Sequence, residues 1–217
     1  MAILLCAATE MEIQPTLDWI AEKKAFAEIE VLVTGVGLLA ATYSITRQVL
    51  LSKPHTLVQA GVAGCFDETI ALGTTAVVLR ETIGDLGVLQ NNTFTSAFDM
   101  GLLKPYEQPW HSGKLENGHT ELVKMPGLVL ADSVTVNEIS TAEDRISYYK
   151  NGLGATCESM EGAALHYVGL LEAIPFLQLR AFSNYVGERD KGAWKMQEAV
   201  TNVNKALQEV LQKLIAA

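Results

Sequence analysis

The sequence predicts an α/β fold built on a largely parallel central sheet. Short apolar runs, rich in Leu and β-branched residues, alternate along the chain with segments that have helical spacing. Runs that are apolar throughout are typical of strands buried on both faces, as in parallel sheets. Their alternation with helices favours repeated strand–helix–strand units over separate helical and sheet regions.

The first predicted strands are each followed by a helical pattern. Ala2–Ala8 is an apolar run that ends in acid and lacks a basic lead, so it predicts a buried strand rather than a signal sequence. The helical pattern Glu10–Lys24 comes next. Ile29–Thr34 then predicts a second buried strand, and Leu38–Ser52 predicts the helix that follows it.

The middle of the chain contains predicted strands on either side of a segment with a weak pattern. Thr56–Ala60 and Thr74–Leu79 predict strands before it, and Leu128–Ala131 predicts one after it. The intervening Ile83–Met125 is rich in Gly, Asn, Thr, Pro and aromatic residues. Segments this long without a clear pattern are usually functional or form interfaces.

The last third of the chain resumes the alternation. Thr141–Tyr149 predicts a helix, Gly154–Cys157 a strand, Glu158–Ala173 a helix and Phe176–Phe182 a strand. The final segment, Lys191–Ala216, has apolar residues at helical spacing and Gln, Glu and Lys over much of the other side. It predicts a long amphipathic helix.

Length and composition predict a single domain, residues 1–217, in a reducing cytoplasmic setting. The net charge of −9 argues against nucleic acid as a partner, because such surfaces need clustered Lys and Arg. No apolar run approaches the ~18 residues of a membrane span, so no membrane association is expected. The three cysteines are widely separated and lack the spacing of a zinc site or a disulfide framework.

Acidic residues directly follow the first predicted strand, in the stretch T-E-M-E from Thr9 to Glu12. Glu10 and Glu12 are each explained by the helix dipole, which favours acids in a first turn. The active residues of α/β folds, however, gather at the carboxyl ends of strands. Either carboxylate could therefore face a pocket.

Two glycine-rich stretches also follow predicted strands. Gly35 to Ala40, G-V-G-L-L-A, matches the dinucleotide fingerprint, but it follows the second strand and the next strand does not end in an acid. Gly61 to Gly64, G-V-A-G, is either an ordinary turn or a backbone that approaches a ligand with free N–H groups.

The stretch C-E-S-M-E-G-A-A, which begins at Cys157, places Glu158 and Glu161 at a predicted helix start, where an acid is stabilised by the helix dipole. Glu158 is expected to be such a helix-terminus acid. The small residues after Glu161 indicate tight packing on the sheet, so this carboxylate is expected to be buried. A buried carboxylate needs donors, and the diol of a sugar offers two. Arg180 lies in an otherwise apolar strand, and a buried charge needs a partner, for which Glu161 is suited. Ser183 and Asn184 follow Arg180 and offer polar groups.

Taken together, these stretches resemble the purine nucleosidase and nucleoside phosphorylase superfamily. The matching stretches are T-E-M-E ending at Glu12, G-V-A-G ending at Gly64, S-M-E-G-A-A around Glu161 and R-A-F-S-N from Arg180 to Asn184. The resemblance covers essentially the whole chain. It is closest to the methylthioadenosine/S-adenosylhomocysteine nucleosidase branch, and within that to futalosine hydrolases. It implies a three-layer fold with a mixed, largely parallel central sheet flanked by helices.

The resemblance also implies roles for individual residues. Glu12 is similar to the carboxylate that activates water, Glu161 to the acceptor for the ribose hydroxyls, and Arg180 to the residue that steadies it. The expected catalytic residues are Glu12, Glu161 and Asn184. The expected substrate-binding residues are Thr9, Val62, Ala63, Gly64, Thr135, Val136, Met160, Arg180 and Ser183. Among these, Thr135 and Val136 occupy the place of a loop that contacts the base.

Asn184 is a departure from the adenine-specific relatives, which have Asp at this place. An amide cannot act as an acid but can donate to N7 or to a 6-oxo oxygen, so hypoxanthine is favoured over adenine. No Arg or Lys occurs in 9–15 or 59–64, and Gln59 stands where a phosphorylase tends to have Arg. Water is therefore the expected nucleophile, and no metal or organic cofactor is expected.

The predicted reaction is hydrolysis of futalosine to hypoxanthine and dehypoxanthinyl futalosine, in menaquinone biosynthesis. The 5′ pocket is expected to draw on Ile83–Met125 and to be completed by a neighbouring subunit of a homo-oligomer. Arg80, Lys104 and His111 are predicted cationic contacts for the benzoate of futalosine. The alternatives are a nucleosidase for methylthioadenosine, S-adenosylhomocysteine or inosine-like substrates, a non-catalytic nucleoside-binding homologue, and a nicotinamide-dependent oxidoreductase.

Overall fold

The computed structural model describes residues 2–24, 27–91 and 93–216. The strands are, in chain order, β1 (Ile3–Ala7), β2 (Ile29–Val33), β3 (Thr56–Cys65), β4 (Thr75–Ile83), β5 (Gly87–Gln90), β6 (Thr93–Ser96), β7 (Leu115–Glu116), β8 (Val129–Thr135), β9 (Cys157–Ser159) and β10 (Phe176–Tyr185). The α-helices are α1 (Glu10–Lys23), α2 (Leu38–Ser52), α3 (Thr120–Lys124), α4 (Glu143–Ser147), α5 (Gly162–Leu171) and α6 (Met196–Ala216).

The central sheet has eight strands and runs in the order β10-β4-β8-β9-β3-β1-β2, with β7 added to β4. Parallel pairing joins β1 to β2 and β3, β3 to β10, and β8 to β4 and β9. Antiparallel pairing joins β4 to β10 and β7, and β3 to β9. The predicted mixed, largely parallel sheet is confirmed. Because β10 pairs with both β3 and β4, part of it closes into a barrel.

Helices cover both faces of the sheet, and the side chains of β1 show how. Ile3, Leu5 and Ala7 face one hydrophobic cluster, which includes residues of α1 and α6. Leu4 and Cys6 face the other cluster, which includes residues of α2 and α5. Successive strand residues point to opposite faces, so a strand that is apolar throughout supplies both layers of the core.

Several strands are longer than their apolar runs predicted, and this changes where the polar residues lie. β3 continues to Cys65, so Gly61–Gly64 lies within a strand rather than in a turn. β8 reaches Thr135, and β10 reaches Tyr185. In contrast, α5 begins only at Gly162. Ladder hydrogen bonds with neighbouring strands extend these elements, and a single-strand pattern does not record them.

The segment whose sequence pattern is weak, of which the structure describes residues 83–91 and 93–125, contains short strands and a short helix. β5 and β6 make a two-stranded sheet of their own, β7 joins the main sheet, and α3 follows. The exposed hairpin has few apolar positions to bury, which explains why its strands gave little periodic signal in the sequence.

Candidate active site

A cavity of about 270 Å³ opens at the carboxyl ends of β1, β3 and β10 and at the turn after β9. The parallel direction of β1, β3 and β10 brings the residues that follow or end them to one edge of the sheet. Of the predicted site residues, those that line this cavity are Thr9, Glu12, Val62, Ala63, Gly64, Met160, Glu161, Ser183 and Asn184. Arg180, Thr135 and Val136 lie outside its lining.

Glu12 is held by the start of α1 and by β3. Its Oε2 accepts hydrogen bonds from the backbone N–H and the hydroxyl of Thr9, at 3.1 and 2.9 Å, in a capping box. Its Oε1 accepts from the backbone N–H of Val62 at 3.1 Å. The carboxylate is 7% exposed and lines the cavity. Glu12 is thus both an acid in the first turn of α1 and a carboxylate that faces the cavity, so the two predictions made for it are compatible.

Glu161 precedes α5 as its N-cap residue, and its carboxylate is turned toward other elements. Oε1 accepts from the backbone N–H of Gly37 at 3.0 Å, and Oε2 lies 3.7 Å from Nη2 of Arg180. The residue is 5% exposed. The expected pairing of Glu161 with Arg180 is present, and one N–H donor and one guanidinium offset the loss of hydration.

Arg180 is almost fully buried beneath the cavity, at 1% exposure. Its Nε donates to Oε1 of Gln178 at 2.9 Å, and Nη2 donates to Oε1 of Gln59 at 3.3 Å. Nη1 donates to the carbonyl of Val62 at 3.4 Å. Arg180 therefore supports Glu161 from below and does not contact the cavity. Gln59, at the position noted for phosphorylases, is also buried and serves Arg180.

Gly61 lies where Glu12 and Arg180 come together. A Cβ at this position would lie 2.6 Å from Nη1 of Arg180 and 2.7 Å from Oε1 of Glu12. Real Cβ atoms essentially never approach other atoms this closely, so only glycine lets both side chains keep their places.

Asn184 lies near the end of β10, just after a register irregularity in its pairing with β3. Its Oδ1 accepts from the hydroxyl of Ser183 at 2.8 Å, and its Nδ2 donates to the carbonyl of Tyr185 at 3.0 Å. The Ser183 hydroxyl is also 3.3 Å from the carbonyl of Ala63. The neutral amide is thus held at the cavity wall, where it can both donate and accept.

The turn from Gly35 to Ala40 has a different use from the dinucleotide interpretation. Gly35 and Gly37 have positive φ values, +80° and +95°, which a glycine adopts readily. The N–H of Gly37, at the start of α2, is directed at the Glu161 carboxylate. The helix N-terminus that would receive a pyrophosphate is here occupied by a side chain of the protein.

Glu158 is not the helix-terminus acid that its position suggested. It lies in β9, is 6% exposed and lines the cavity. Its Oε1 accepts from the backbone N–H of Ser140 at 3.0 Å, and its Oε2 accepts from the Ser140 hydroxyl. Burial raises the pKa of Glu158, against the lowering effect of these bonds. The expectation failed because α5 starts four residues later than the periodicity indicated.

Thr135 and Val136, the predicted base contacts, are fully or almost fully buried, at 0% and 1% exposure. The Thr135 hydroxyl donates to Oε2 of Glu81 at 2.9 Å and accepts from the N–H of Ala163 at 2.8 Å. Val136 packs in a cluster with Tyr149. Because β8 extends through Thr135, these side chains belong to the sheet and core, outside the cavity.

The predicted cationic contacts also lie outside the cavity lining and have acidic neighbours. Arg80 pairs with Asp132 at 2.8 Å, Lys104 with Glu107 at 3.6 Å, and His111 with Glu116 at 3.2 Å. Among the described residues that line the cavity, Arg189 is the only basic one. It follows β10 with Trp194, whose ring centroid is 5.5 Å from the guanidinium carbon.

Sequence comparison places this chain in a known family. The sequence model of the phosphorylase superfamily matches residues 23–216. The chain belongs to that superfamily. A curated futalosine hydrolase of Streptomyces coelicolor is 30% identical over 184 residues, which cover 82% of this chain and 76% of that one. The Thermus thermophilus futalosine hydrolase is 28% identical over 181 residues, with coverages of 83% and 80%.

Solved structures of this superfamily show the same fold. The native futalosine hydrolase of Helicobacter pylori superimposes with a TM-score of 0.78 at 16% identity, covering 98% of both chains. The Helicobacter pylori 5′-methylthioadenosine/S-adenosylhomocysteine nucleosidase has a TM-score of 0.79 at 16% identity and the same coverage. The predicted three-layer phosphorylase-like fold is confirmed.

Within residues 2–24, 27–91 and 93–216, no group of three or more His, Cys, Asp or Glu side chains is placed to hold a metal ion. In the same residues, no helix combines the length and the apolar character needed to cross a bilayer.

Proposed function

We propose that this superfamily member hydrolyses the N-glycosidic bond of futalosine, releasing hypoxanthine and dehypoxanthinyl futalosine for menaquinone biosynthesis. The carrying observation is that Glu12, Glu161 and Asn184, from distant parts of the chain, line one cavity with an amide in place of an acid. The two curated futalosine hydrolases, at 30% and 28% identity, support the same assignment. We further propose that the chain works as one cytoplasmic nucleosidase domain.

In the proposed step, a water oxygen bonds to C1′ while the C1′–N9 bond breaks and its electron pair leaves with the purine. Glu12 takes the proton of the attacking water, general-base help worth roughly 10²–10⁴-fold. Glu161 accepts hydrogen bonds from the 2′ and 3′ hydroxyls, with Met160 beneath the ribose. The two carboxylates stabilise the positive charge that develops on the sugar.

Asn184 is proposed to act on the leaving group. Its Nδ2 can turn from the carbonyl of Tyr185 to donate to N7 or O6 of hypoxanthine, while the Ser183 hydroxyl keeps hold of Oδ1. A 6-oxopurine leaves well as an anion, so a hydrogen-bond donor suffices where adenine would need an acid. The amide therefore supports hypoxanthine as the base.

The charges around the cavity support water rather than phosphate as the nucleophile. Glu12, Glu158 and Glu161 all line it, and they would repel a phosphate dianion. A phosphorylase binds that dianion with cationic side chains, usually Arg. The lining cation, Arg189, is exposed and lies on the loop after β10.

We assign the benzoate of the substrate to Arg189 and Trp194. The Trp194 indole N–H donates to the carbonyl of Glu188 at 3.2 Å, which fixes the ring in the loop. A flat ring beside a guanidinium suits an aryl carboxylate, because the ring can stack and the charge can pair. This replaces Arg80, Lys104 and His111 as the proposed contacts.

We also propose that a second copy of the chain completes the 5′ side of the cavity. Met11 and Val36 line the cavity and are 65% and 59% exposed, and Leu39 and Tyr43 on α2 continue the apolar surface at 84% and 69%. Contiguous exposed apolar residues of this kind mark association surfaces. A homo-oligomer would cover them and enclose the substrate.

The test is to incubate purified protein with futalosine, inosine and methylthioadenosine, with and without phosphate, and to measure free base. Futalosine should be cleaved fastest, without any requirement for phosphate. Glu12→Gln should abolish turnover but keep binding, which distinguishes an enzyme from a nucleoside-binding homologue. Faster cleavage of methylthioadenosine by the wild type would overturn the substrate assignment in favour of the adenine nucleosidase alternative.

The benzoate assignment has a separate test. Arg189→Gln should raise KM for futalosine by about 10-fold or more, the range of a lost charge-assisted hydrogen bond, and leave KM for inosine unchanged. Lys191→Gln removes a charge from the same loop outside the cavity lining and serves as the matched control. Equal KM changes for both substrates would contradict the assignment.

A further inference from the structure

A buried carboxylate without an assigned role lies beneath the cavity. Glu81, on β4, is 0% exposed and is absent from the cavity lining. Its Oε1 accepts from Nε2 of Gln178 at 3.0 Å, and its Oε2 accepts from the hydroxyl of Thr135 at 2.9 Å. A fully buried acid is costly to retain, so its two directed hydrogen bonds call for an explanation.

One of these bonds leads to the ribose carboxylate through Arg180. Because Nε2 of Gln178 donates to Glu81, its Oε1 must point the other way, where it accepts from Nε of Arg180 at 2.9 Å. Nη2 of the same guanidinium lies 3.7 Å from Oε2 of Glu161. Glu81 thus sets the orientation of the Gln178 amide, and through it the plane of the guanidinium.

The second bond leads to Glu161 through the backbone. The Thr135 hydroxyl donates its proton to Glu81, which leaves a lone pair to accept from the N–H of Ala163 at 2.8 Å. Ala163 is in the first turn of α5, two residues after Glu161. The orientation of one hydroxyl therefore fixes the start of the helix whose N-cap is Glu161.

The Glu81 carboxylate packs directly against this helix start. A Cβ at Gly162 would lie 1.9 Å from Oε1 of Glu81 and 2.4 Å from Oε1 of Gln178. The carboxylate and the amide therefore press against the backbone of the residue that directly follows Glu161. A displacement of Glu81 toward α5 would therefore push on the start of this helix.

We propose that Glu81, in its ionised form, is a positioning residue that holds Arg180 and the start of α5 so that Glu161 faces the ribose. The proposal rests on the proposed role of Glu161 in hydrolysis. The carboxylate accepts from the Gln178 amide and from the Thr135 hydroxyl at the same time. A proton on Oε1 would meet the Nε2–H of Gln178, and a proton on Oε2 would require the Thr135 hydroxyl to turn its own proton elsewhere.

The surroundings put the ionisation of Glu81 in the physiological range. Burial raises its pKa to about 7, against the lowering effect of Gln178, Thr135 and the charge of Arg180. Cys157 on β9 faces it as a neutral thiol, since burial raises the pKa of that thiol. On α5, burial lowers the pKa of His166 to about 3, so this imidazole is neutral as well.

The test is Glu81→Gln, measured as kcat and KM for base release across pH. In this variant the new side-chain amide would direct its NH₂ group at one of the two donors, Gln178 or Thr135, so either Arg180 or the start of α5 must shift. A misplacement near 1 Å costs about 10²-fold in rate. We expect kcat to fall about 10- to 100-fold with KM changed less than threefold. The wild-type kcat should also fall as pH drops through about 7, and Glu81→Gln should lose this acid limb.

Further variants keep the proposal falsifiable if Glu81→Gln folds poorly. Thr135→Val should lower kcat in the same direction, and Thr135→Ser, which keeps the hydroxyl, should restore it. Glu116→Gln, a partly exposed acid on β7 outside the cavity, is the matched control. A folded Glu81→Gln with kcat within twofold of wild type and an unchanged acid limb would overturn the proposal.

Failure of the positioning role can be separated from failure of the proposed function. If Glu161→Gln loses turnover but Glu81→Gln does not, only the positioning role fails. If Glu161→Gln itself retains wild-type turnover, the proposed catalytic role of Glu161 fails instead.

Discussion

Gly61→Ala tests whether the spacing between Glu12 and Arg180 matters for turnover. The added Cβ would lie 2.6 Å from Nη1 of Arg180 and 2.7 Å from Oε1 of Glu12, whereas ordinary contacts begin near 3.4 Å. One or both side chains must therefore yield by roughly 0.7–0.8 Å. Since a misplacement of about 1 Å costs about 10²-fold in rate, we expect kcat to fall about 10- to 100-fold.

The fold should survive this substitution. Overpacking a filled site costs about 1–3 kcal/mol, a part of the 5–15 kcal/mol that typically stabilises a domain. The assay is steady-state release of hypoxanthine, with denaturant unfolding of the same preparations. Gly118→Ala is the control, because a Cβ there meets nothing within 4 Å. A folded Gly61→Ala protein with wild-type kcat would refute the argument that Glu12 needs its observed position.

The other predictions concern the base, pH and assembly. Asn184→Asp should shift the ratio of kcat/KM from futalosine toward methylthioadenosine, because Asp can donate a proton to N7 of adenine; an unchanged ratio would contradict the assigned base contact. Burial raises the pKa of Glu81 from 4.5 to about 7, so its contribution to stability is present below pH 4.5 and is lost as pH rises through 7. At about 1.4 kcal/mol for each pKa unit, wild type should lose about 3 kcal/mol relative to Glu81→Gln between pH 4.5 and 8, and parallel unfolding curves would disprove this. Leu39→Glu should give a monomer by light scattering with a higher KM for futalosine, and a fully active wild-type monomer would rule out the shared pocket.

Much of the fold could be predicted because its signals are local. Each predicted strand of the main sheet overlaps an observed strand, although the predicted Gly154–Cys157 shares only Cys157 with β9. The helices α1 and α2 begin and end within a residue of their predicted bounds. Periodicity and composition report burial one residue at a time. The ends of β3, β8 and β10 could not be predicted, because hydrogen bonds to neighbouring strands extend them beyond their apolar runs.

The site could be predicted only in part, because motifs are read along the chain whereas the cavity is assembled from distant segments. The order of the four stretches along the chain identified the superfamily, and Glu12, Glu161 and Asn184 do line one cavity. Arg189 was not singled out as a contact, since an arginine in a polar loop is unremarkable until the loop lies at a cavity wall. Its position ahead of Trp194 was the available signal.

By itself, the sequence determined the α/β class and the superfamily, and it singled out two acids and an amide that line one cavity. The tertiary structure alone decided what those groups touch. The backbone N–H of Gly37 donates to Glu161, which is 124 residues away in the chain. Gln59 accepts a hydrogen bond from Arg180, which is 121 residues away. Glu81, which no motif marked, turned out to bond Gln178 and Thr135. Such contacts depend on which strand ends the sheet brings to one edge, and neither spacing nor composition records that.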